Sequence, residues 1–172
     1  DKNQKLVVRV WDPTDRSFQP RGKQVNKPNG IWYTPVTGIW QTVWMEPVGK
    51  AYITHLKSIP NVDGHNVSVF ASTEGALLSD IVEVKVLDNG KVVGTGKAAA
   101  GQEVLVPVPE AKLWSPTSPF LYDMEVTLLR NGTPADQVKS YFGMRKISTK
   151  RDANGIVRLQ LNNQDCFQFG PL

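Results

Sequence analysis

The sequence is poor in the residues that most often carry chemistry. Among 172 residues there is one cysteine, Cys166, and there are two histidines, His55 and His65. A single cysteine excludes an intrachain disulfide and any zinc site built on several thiolates. With Asp165 and Phe167 beside it and no histidine near in sequence, Cys166 reads as a buried, inert thiol. Two separated histidines are too few for a metal centre, so no metal and no cofactor are expected. No apolar run approaches the roughly 18 to 20 residues of a membrane span. No basic start followed by an apolar stretch and a cleavage site marks a signal peptide. A free thiol fits either side of a membrane, so the compartment stays open.

Charge of one sign is also in short supply. Twenty basic residues against sixteen acidic ones leave a net charge of +4. The basic residues are scattered, and the densest run, "MRKISTKR", has no interleaved aromatics to stack on bases. No nucleic-acid partner is expected. "GTGKAAAG" follows a hairpin strand instead of opening a helix, so it is not a phosphate loop.

Helical periodicity is nearly absent as well. What is present is the grammar of an all-β sandwich: short β-branched runs separated by Gly, Pro, Asn and Asp. "KLVVRVWD" reads as a first strand, with Leu6, Val8 and Val10 on one face and Val7, Arg9 and Trp11 on the other. Ile39 to Met45 reads as a strand covered on both faces. "NVSVFAST" is another. In "DIVEVKVLDNGKVVGTG", two alternating strands flank Asn89-Gly90, the pair that a type I′ turn demands. Asn131-Gly132 repeats that signal. Pro107 in "EVLVPVP" predicts an edge strand. Residues 49–148 thus hold about seven strands, the count of an immunoglobulin-like sandwich. Ile156 to Leu161 alternates as a further strand, with "NNQD" as a turn after it.

Between these runs lies "PTDRSFQPRGKQVNKPNG", a polar loop longer than about 12 residues, the length at which loops are often functional. Asp12 and Asp15 beside it sit in a Pro-containing turn, where aspartates bond local backbone N–H groups rather than perform catalysis. Two or three strands before residue 48 cannot bury enough surface to stand alone. The apolar end of "LQLNNQDCFQFGPL" has no turn or polar tail. The chain is therefore expected to be a piece of a longer one, entering inside one domain and leaving inside another.

Four motifs now resemble one family. "TGIWQTVWMEP", "AKLWSPTSPFLYDMEVTL", "YFGMRKIS" and "RLQLNNQDCFQFGPL" are similar, in order and spacing, to motifs of family 2 glycoside hydrolases, the β-galactosidase, β-glucuronidase and β-mannosidase group. The resemblance covers roughly residues 5–172. It implies an all-β fragment: residues 1–48 as the last strands of a sugar-binding jelly roll, 49–148 as the immunoglobulin-like sandwich, and 149–172 as the entry into a catalytic (β/α)8 barrel. Within the motifs, Trp114 and Phe120 are expected to pin the loop stiffened by Pro116 and Pro119 to the core. Gly143 is expected to adopt a conformation that a side chain would forbid, and Arg145 to clamp a joint between domains.

The resemblance implies that the parent is a retaining glycosidase hydrolysing terminal β-linked sugars, with a β-galactoside as the leading substrate. Its paired catalytic Glu side chains would lie on the barrel, so no catalytic residue is expected here. The jelly roll is implied to lend sugar contacts just upstream of the "GIW" strand, which places Asn29, Trp32 and Tyr33 as candidate substrate-binding residues, with core packing or a domain interface as the alternative for Trp32 and Tyr33. Asn29 and Gly30 stand where the family often has an acidic residue, and Phe169 where it usually has Arg. The first departure bears on the sugar contact, and the second points to a divergent subgroup. The implied partners are carbohydrate, through the whole enzyme, and the rest of its own chain, with room for a homo-oligomeric parent. A stand-alone carbohydrate-binding module and a purely structural sandwich both remain open.

Overall fold

A computed structural model describes residues 3, 5–168 and 170. The chain divides into two compact units, residues 1–46 and 47–172.

The second unit holds ten strands and, among the described residues, no helix. They are β1 (Tyr52–Asn61), β2 (Asn66–Glu74), β3 (Ile81–Asp88), β4 (Lys91–Ala99), β5 (Val104–Pro107), β6 (Tyr122–Arg130), β7 (Thr133–Phe142), β8 (Ile147–Arg151), β9 (Val157–Leu161) and β10 (Gln164–Asp165). The first seven form two antiparallel sheets, ordered β1-β2-β5 and β4-β3-β6-β7. This is the seven-strand, two-sheet architecture of immunoglobulin-like sandwiches. As Pro107 predicts, β5 lies at an edge. Tyr122 opens β6, and its hydroxyl accepts a 2.7 Å hydrogen bond from the Lys112 backbone N–H. A tyrosine anchored in this way near the start of that strand is a hallmark of the architecture.

Period-two alternation explains which residues face inward. On β3, Val82, Val84 and Val86 are buried while Glu83 and Lys85 point out. Val84 lies opposite Val126 on β6, so Met124, Val126 and Leu128 share the interior with them. Val67, Val69, Val104 and Val106 supply the facing layer. The outer face of the larger sheet carries the charges instead. Lys97 sits 2.7 Å from Glu83, Lys85 3.7 Å from it, and Lys139 4.0 Å from Glu125. Lys97, and then Lys85, hold the Glu83 carboxyl below its usual range. Such exposed pairs contribute little stability, but they mark the wet face.

Turn chemistry sets the register. Asn89 and Gly90 have φ of 49° and 83°, and Asn131 and Gly132 of 50° and 79°, as type I′ turns require. A third pair, Asn162 and Asn163 at 53° and 66°, joins β9 to β10 in the same way. On β4, glycine is needed for close approach. A Cβ on Gly94 would lie 2.3 Å from the Pro107 carbonyl oxygen, and one on Gly96 2.6 Å from that of Leu105. Only glycines there let the two sheets close along this edge.

One ion pair is buried. The Asp80 carboxylate accepts hydrogen bonds from Arg130 Nε at 3.1 and 3.2 Å and from Nη2 at 2.6 Å, and from the Leu77 N–H at 2.8 Å. Arg130 also bonds the Gly75 carbonyl at 2.8 Å. The pair ties the loop before β3 to the end of β6. Arg130, and then the Leu77 N–H, hold the Asp80 carboxyl below its usual range, and Arg130 is raised in turn.

The strands β8, β9 and β10 form a separate antiparallel sheet ordered β10-β9-β8. Ile156 to Leu161 thus contains the predicted strand, but it sits in a meander rather than beside a parallel neighbour.

The first unit departs from expectation. Leu6–Val10 and Ile39–Met45 form no strand or ladder, Gln41 bends the second, and Leu6 and Trp40 are 72 % and 89 % exposed. The physical reason is that alternation specifies what a segment would pack against and pair with, not that the partner lies within reach. Among the described residues, the unit's backbone bridging is the Gln24–Tyr33 contact.

Two outcomes follow for stability. Leu128→Ala empties a fully buried position, and urea denaturation should show a loss of about 2–5 kcal/mol. Asp80 has a folded pKa below its unfolded value near 4, so its stabilisation is present above that value and fades as pH falls through the folded one. Stability against pH should therefore drop in acid, and Asp80→Asn should flatten that acid limb while lowering stability at neutral pH.

Candidate functional site

The long loop of the first unit is knitted by its own polar side chains. Asp12 accepts a 2.7 Å hydrogen bond from the Thr14 N–H, and Asp15 accepts from the Asn26 N–H at 3.2 Å and from its side-chain amide. The Asn26 N–H is the main cause that keeps the Asp15 carboxyl below its usual range. Gln19 bonds the Thr14 carbonyl at 2.7 Å, and Gln24 accepts from the Val36 N–H at 2.7 Å. Asp12 thus does the turn work that its sequence context predicts, while Asp15 staples the loop across eleven residues to Asn26.

This knit loop presents the three candidate sugar contacts. The Asn29 carbonyl accepts from the Trp32 N–H at 3.1 Å, closing a turn in which Gly30 takes φ +57°. Tyr33 is held by its backbone, donating to the Lys23 carbonyl at 2.8 Å and accepting from the Val25 N–H at 3.1 Å. Asn29, Trp32 and Tyr33 therefore share one short turn. All three are exposed, Trp32 by 41 % and Tyr33 by 63 %. The Arg21 guanidinium lies 5.9 Å from the Trp32 ring centre. An open depression of about 560 Å³ lies on the same unit, lined by Asp12, Gln24, Thr37 and Trp40 among others, but neither Trp32 nor Tyr33 reaches it.

The second unit holds a denser cluster where the sandwich meets the small sheet. Trp114 donates its N–H to the Met144 carbonyl at 2.9 Å. Arg145 stacks over its ring, 4.8 Å from the centroid. Gly143 is favoured here by contact rather than by dihedral: its φ is not positive, and an added Cβ would lie 3.2 Å from Trp114 Cβ, so that the ring would have to give by a few tenths of an ångström. Trp114 itself is half-buried and pins the loop to the strand exit, whereas Phe120 packs on the core and meets Tyr122 edge-on at 4.9 Å. Arg145 clamps through its face, not through its donors.

Asn162 links the pieces, and sequence reasoning missed it. Its side-chain amide donates to the Trp114 carbonyl at 3.0 Å while its Oδ1 accepts from the Lys146 N–H at 3.0 Å. Its own N–H donates to the Lys146 carbonyl at 2.8 Å. Next to it, Lys146 Nζ meets Asp63 at 2.5 Å and Asn163 at 2.8 Å, and Asn163 donates to Asp63 at 2.8 Å. Lys146 first, then Asn163, hold the Asp63 carboxyl down. The available signal was the "LNN" of the fourth motif, read only as a turn.

The described residues show no grouping of His, Cys, Asp and Glu that could hold a metal. Cys166 is half-buried instead of buried, because the segment around it lies against the edge of the small sheet rather than inside a core. Phe169, the position of one motif departure, lies outside the described residues. The carboxylates with a resolved shift, Asp15, Asp63, Asp80, Glu83 and Asp152, are all lowered. A general acid needs the opposite shift.

Comparison with known proteins places this geometry. Residues 51–145 match the family model for glycosyl hydrolases family 2. The chain is 30 % identical over 138 residues to a putative β-glucuronidase of Formosa agariphila, covering 73 % of this chain and 13 % of that protein. It is 24 % identical over 163 residues to the β-galactosidase BoGH2A of Bacteroides ovatus, covering 80 % and 18 %. The fold is similar to that of a β-glucuronidase from Ruminococcus gnavus solved with D-glucuronic acid, with a TM-score of 0.55 at 18 % identity, over 71 % of this chain and 20 % of that one. The chain thus spans less than a fifth of the curated relatives it matches.

Asn162→Ala would strip the partners from the Trp114 carbonyl and the Lys146 N–H, at a cost of about 1–3 kcal/mol. Hydrogen exchange should quicken at Lys146 and through β8–β10 while β3 and β6 stay protected. Unchanged exchange at Lys146 would mean that Asp63 and Asn163 hold the joint without it.

Proposed function

The chain belongs to glycosyl hydrolases family 2, and from that premise we propose that it is a non-catalytic segment of a retaining glycoside hydrolase acting on terminal β-glycosides. The supporting observation is how its motif residues are used. Trp114, Gly143, Arg145 and Asn162 build a joint between a sandwich and a following sheet, and the shifted carboxylates are held charged by lysine, arginine or backbone N–H groups. That chemistry holds a scaffold together. A carboxylate held charged in this way is poorly suited to deliver a proton to a leaving group, the task one member of a retaining pair performs.

The sugar cleaved by the parent is a terminal β-galactoside or β-glucuronide, since relatives bearing both names match this stretch. Asn29, Trp32 and Tyr33 are its contacts from the first unit. The aromatic faces suit stacking on a sugar ring, and the phenol hydroxyl, indole N–H and amide suit its hydroxyls. The partners are carbohydrate, the rest of the same polypeptide, and a second copy of the parent.

The exposure of Trp32 and Tyr33 keeps a second reading alive, a module that binds glycan by itself. One set of assays separates the two. The 172-residue chain should release no nitrophenol from nitrophenyl β-galactoside or β-glucuronide, and the polypeptide extended in frame beyond Leu172 should turn over one of them. Turnover by the short chain, or an extended polypeptide inert on both, would sink the proposal. Retardation of the short chain in a glycan-containing gel, abolished by Trp32→Ala, would instead favour the binding module.

A further inference from the structure

Four Asn-Gly pairs occur in the chain: Asn29-Gly30, Asn89-Gly90, Asn131-Gly132 and Asn154-Gly155. An asparagine before glycine is open to attack from its own backbone, because no side chain shields the glycine nitrogen. As that nitrogen loses its proton it bonds to the asparagine Cγ. The Cγ–Nδ2 bond then breaks, ammonia leaves, and a five-membered succinimide remains. Water opens the ring at either carbonyl, giving aspartate or isoaspartate. Ring closure needs the asparagine Cβ and the glycine nitrogen eclipsed about the Cα–C bond.

The fold withholds this geometry from three of the four pairs. Asn89 and Asn131 are the first central residues of type I′ turns, with φ of 49° and 50°. Such a turn holds the glycine nitrogen away from Cβ. Leaving it means opening the hairpin ends, which are paired at Asp88–Lys91 and Arg130–Thr133. Asn89 also ties its amide to Asp88 at 2.9 Å. Asn154 is exposed, but the attacking group beside it is occupied: the Gly155 N–H donates to the Asp152 carbonyl at 2.9 Å.

Asn29 has none of these restraints. It opens its turn instead of sitting at the centre, its φ is not positive, and it lies exposed outside any strand. Among the described residues, neither the Gly30 N–H nor the Asn29 side-chain amide has a hydrogen-bond partner. One backbone bond closes the turn, from the Trp32 N–H to the Asn29 carbonyl at 3.1 Å. We propose that Asn29 is a site of spontaneous modification, passing through a succinimide to aspartate and isoaspartate ahead of the other three. Either product puts a carboxylate on the turn that carries Trp32 and Tyr33. Isoaspartate also routes the backbone through Cβ and takes the carbonyl that Trp32 bonds out of the main chain. The effect on sugar contact rests on the function proposed above, whereas the chemistry at Asn29 does not.

The experiment is peptide mapping by mass spectrometry of the 172-residue chain held at mildly alkaline pH, folded and in urea, with isoaspartate read by enzymatic methylation. In the folded chain Asn29 should convert about tenfold faster than each of the others, the factor that a barrier difference of about 1.4 kcal/mol gives. In urea the four rates should converge, since the turns and the Gly155 bond are gone. Both products should form at position 29, and faster as pH rises. Asn29→Gln, which lengthens the ring to be closed by one carbon, should remove the leading product and leave the other three sites unchanged. Conversion at Asn89, Asn131 or Asn154 as fast as at Asn29 in the folded chain overturns the proposal. A lead for Asn29 that persists undiminished in urea also overturns it, because the selection would then lie in the flanking residues. Aspartate without isoaspartate would mean direct hydrolysis and would sink the succinimide route. No readout here depends on turnover, so a failure of the proposed hydrolase activity leaves this assignment standing.

Discussion

The contact between two layers of inward-facing valines carries the second unit. Val67, Val69, Val104 and Val106 meet Val82, Val84, Val86 and Val126 with almost no solvent between them. Removing this apolar area from water is the main favourable term in the sandwich. Valine suits the task because its branched side chain is stiff in a strand and fills a pleated surface without polar atoms to satisfy. The glycines of β4, the buried Asp80–Arg130 pair and the Tyr122 hydroxyl bond are ways of closing the edges of that contact. None of them would matter if the layers did not meet.

The same contact positions the joint. Met144 is fully buried in the core, and its carbonyl receives the Trp114 N–H. The residues around it inherit that rigidity. Gly143 is favoured because Trp114 presses against it, and Arg145 can stack because the ring beneath it cannot turn away. Asn162 then carries the constraint across to β8–β10 through both ends of its amide. The motifs that resemble a hydrolase family thus work here as mechanical parts.

Alternation and turn chemistry made most of the sandwich legible from the residues alone. Asn89-Gly90 and Asn131-Gly132 announced their hairpins, because few other pairs accept two positive φ values in succession. The alternation of β3 announced its buried face. Asp12 was readable as a turn former, because its bond to the Thr14 N–H is local, whereas Asp15 reaches across the loop to Asn26. The first unit was less legible. Its alternating runs form no strands, since a strand's partner is a property of the surroundings and not of the strand.

The sequence by itself determined the class of fold, the two Asn-Gly hairpin turns and the buried face of β3, since these follow from period-two patterning and local φ preferences. Only the tertiary structure decided what Gly143, Asn162 and Arg145 do. Gly143 looked like a backbone special case and proved to be a matter of clearance from a ring distant in sequence. Asn162 looked like a turn residue and proved to be a bridge to Trp114 and Lys146 as well. Arg145 looked like a clamp by its donors and proved to be held by its face. Each of these roles depends on residues brought together across the fold, and such contacts leave no periodic trace in the chain.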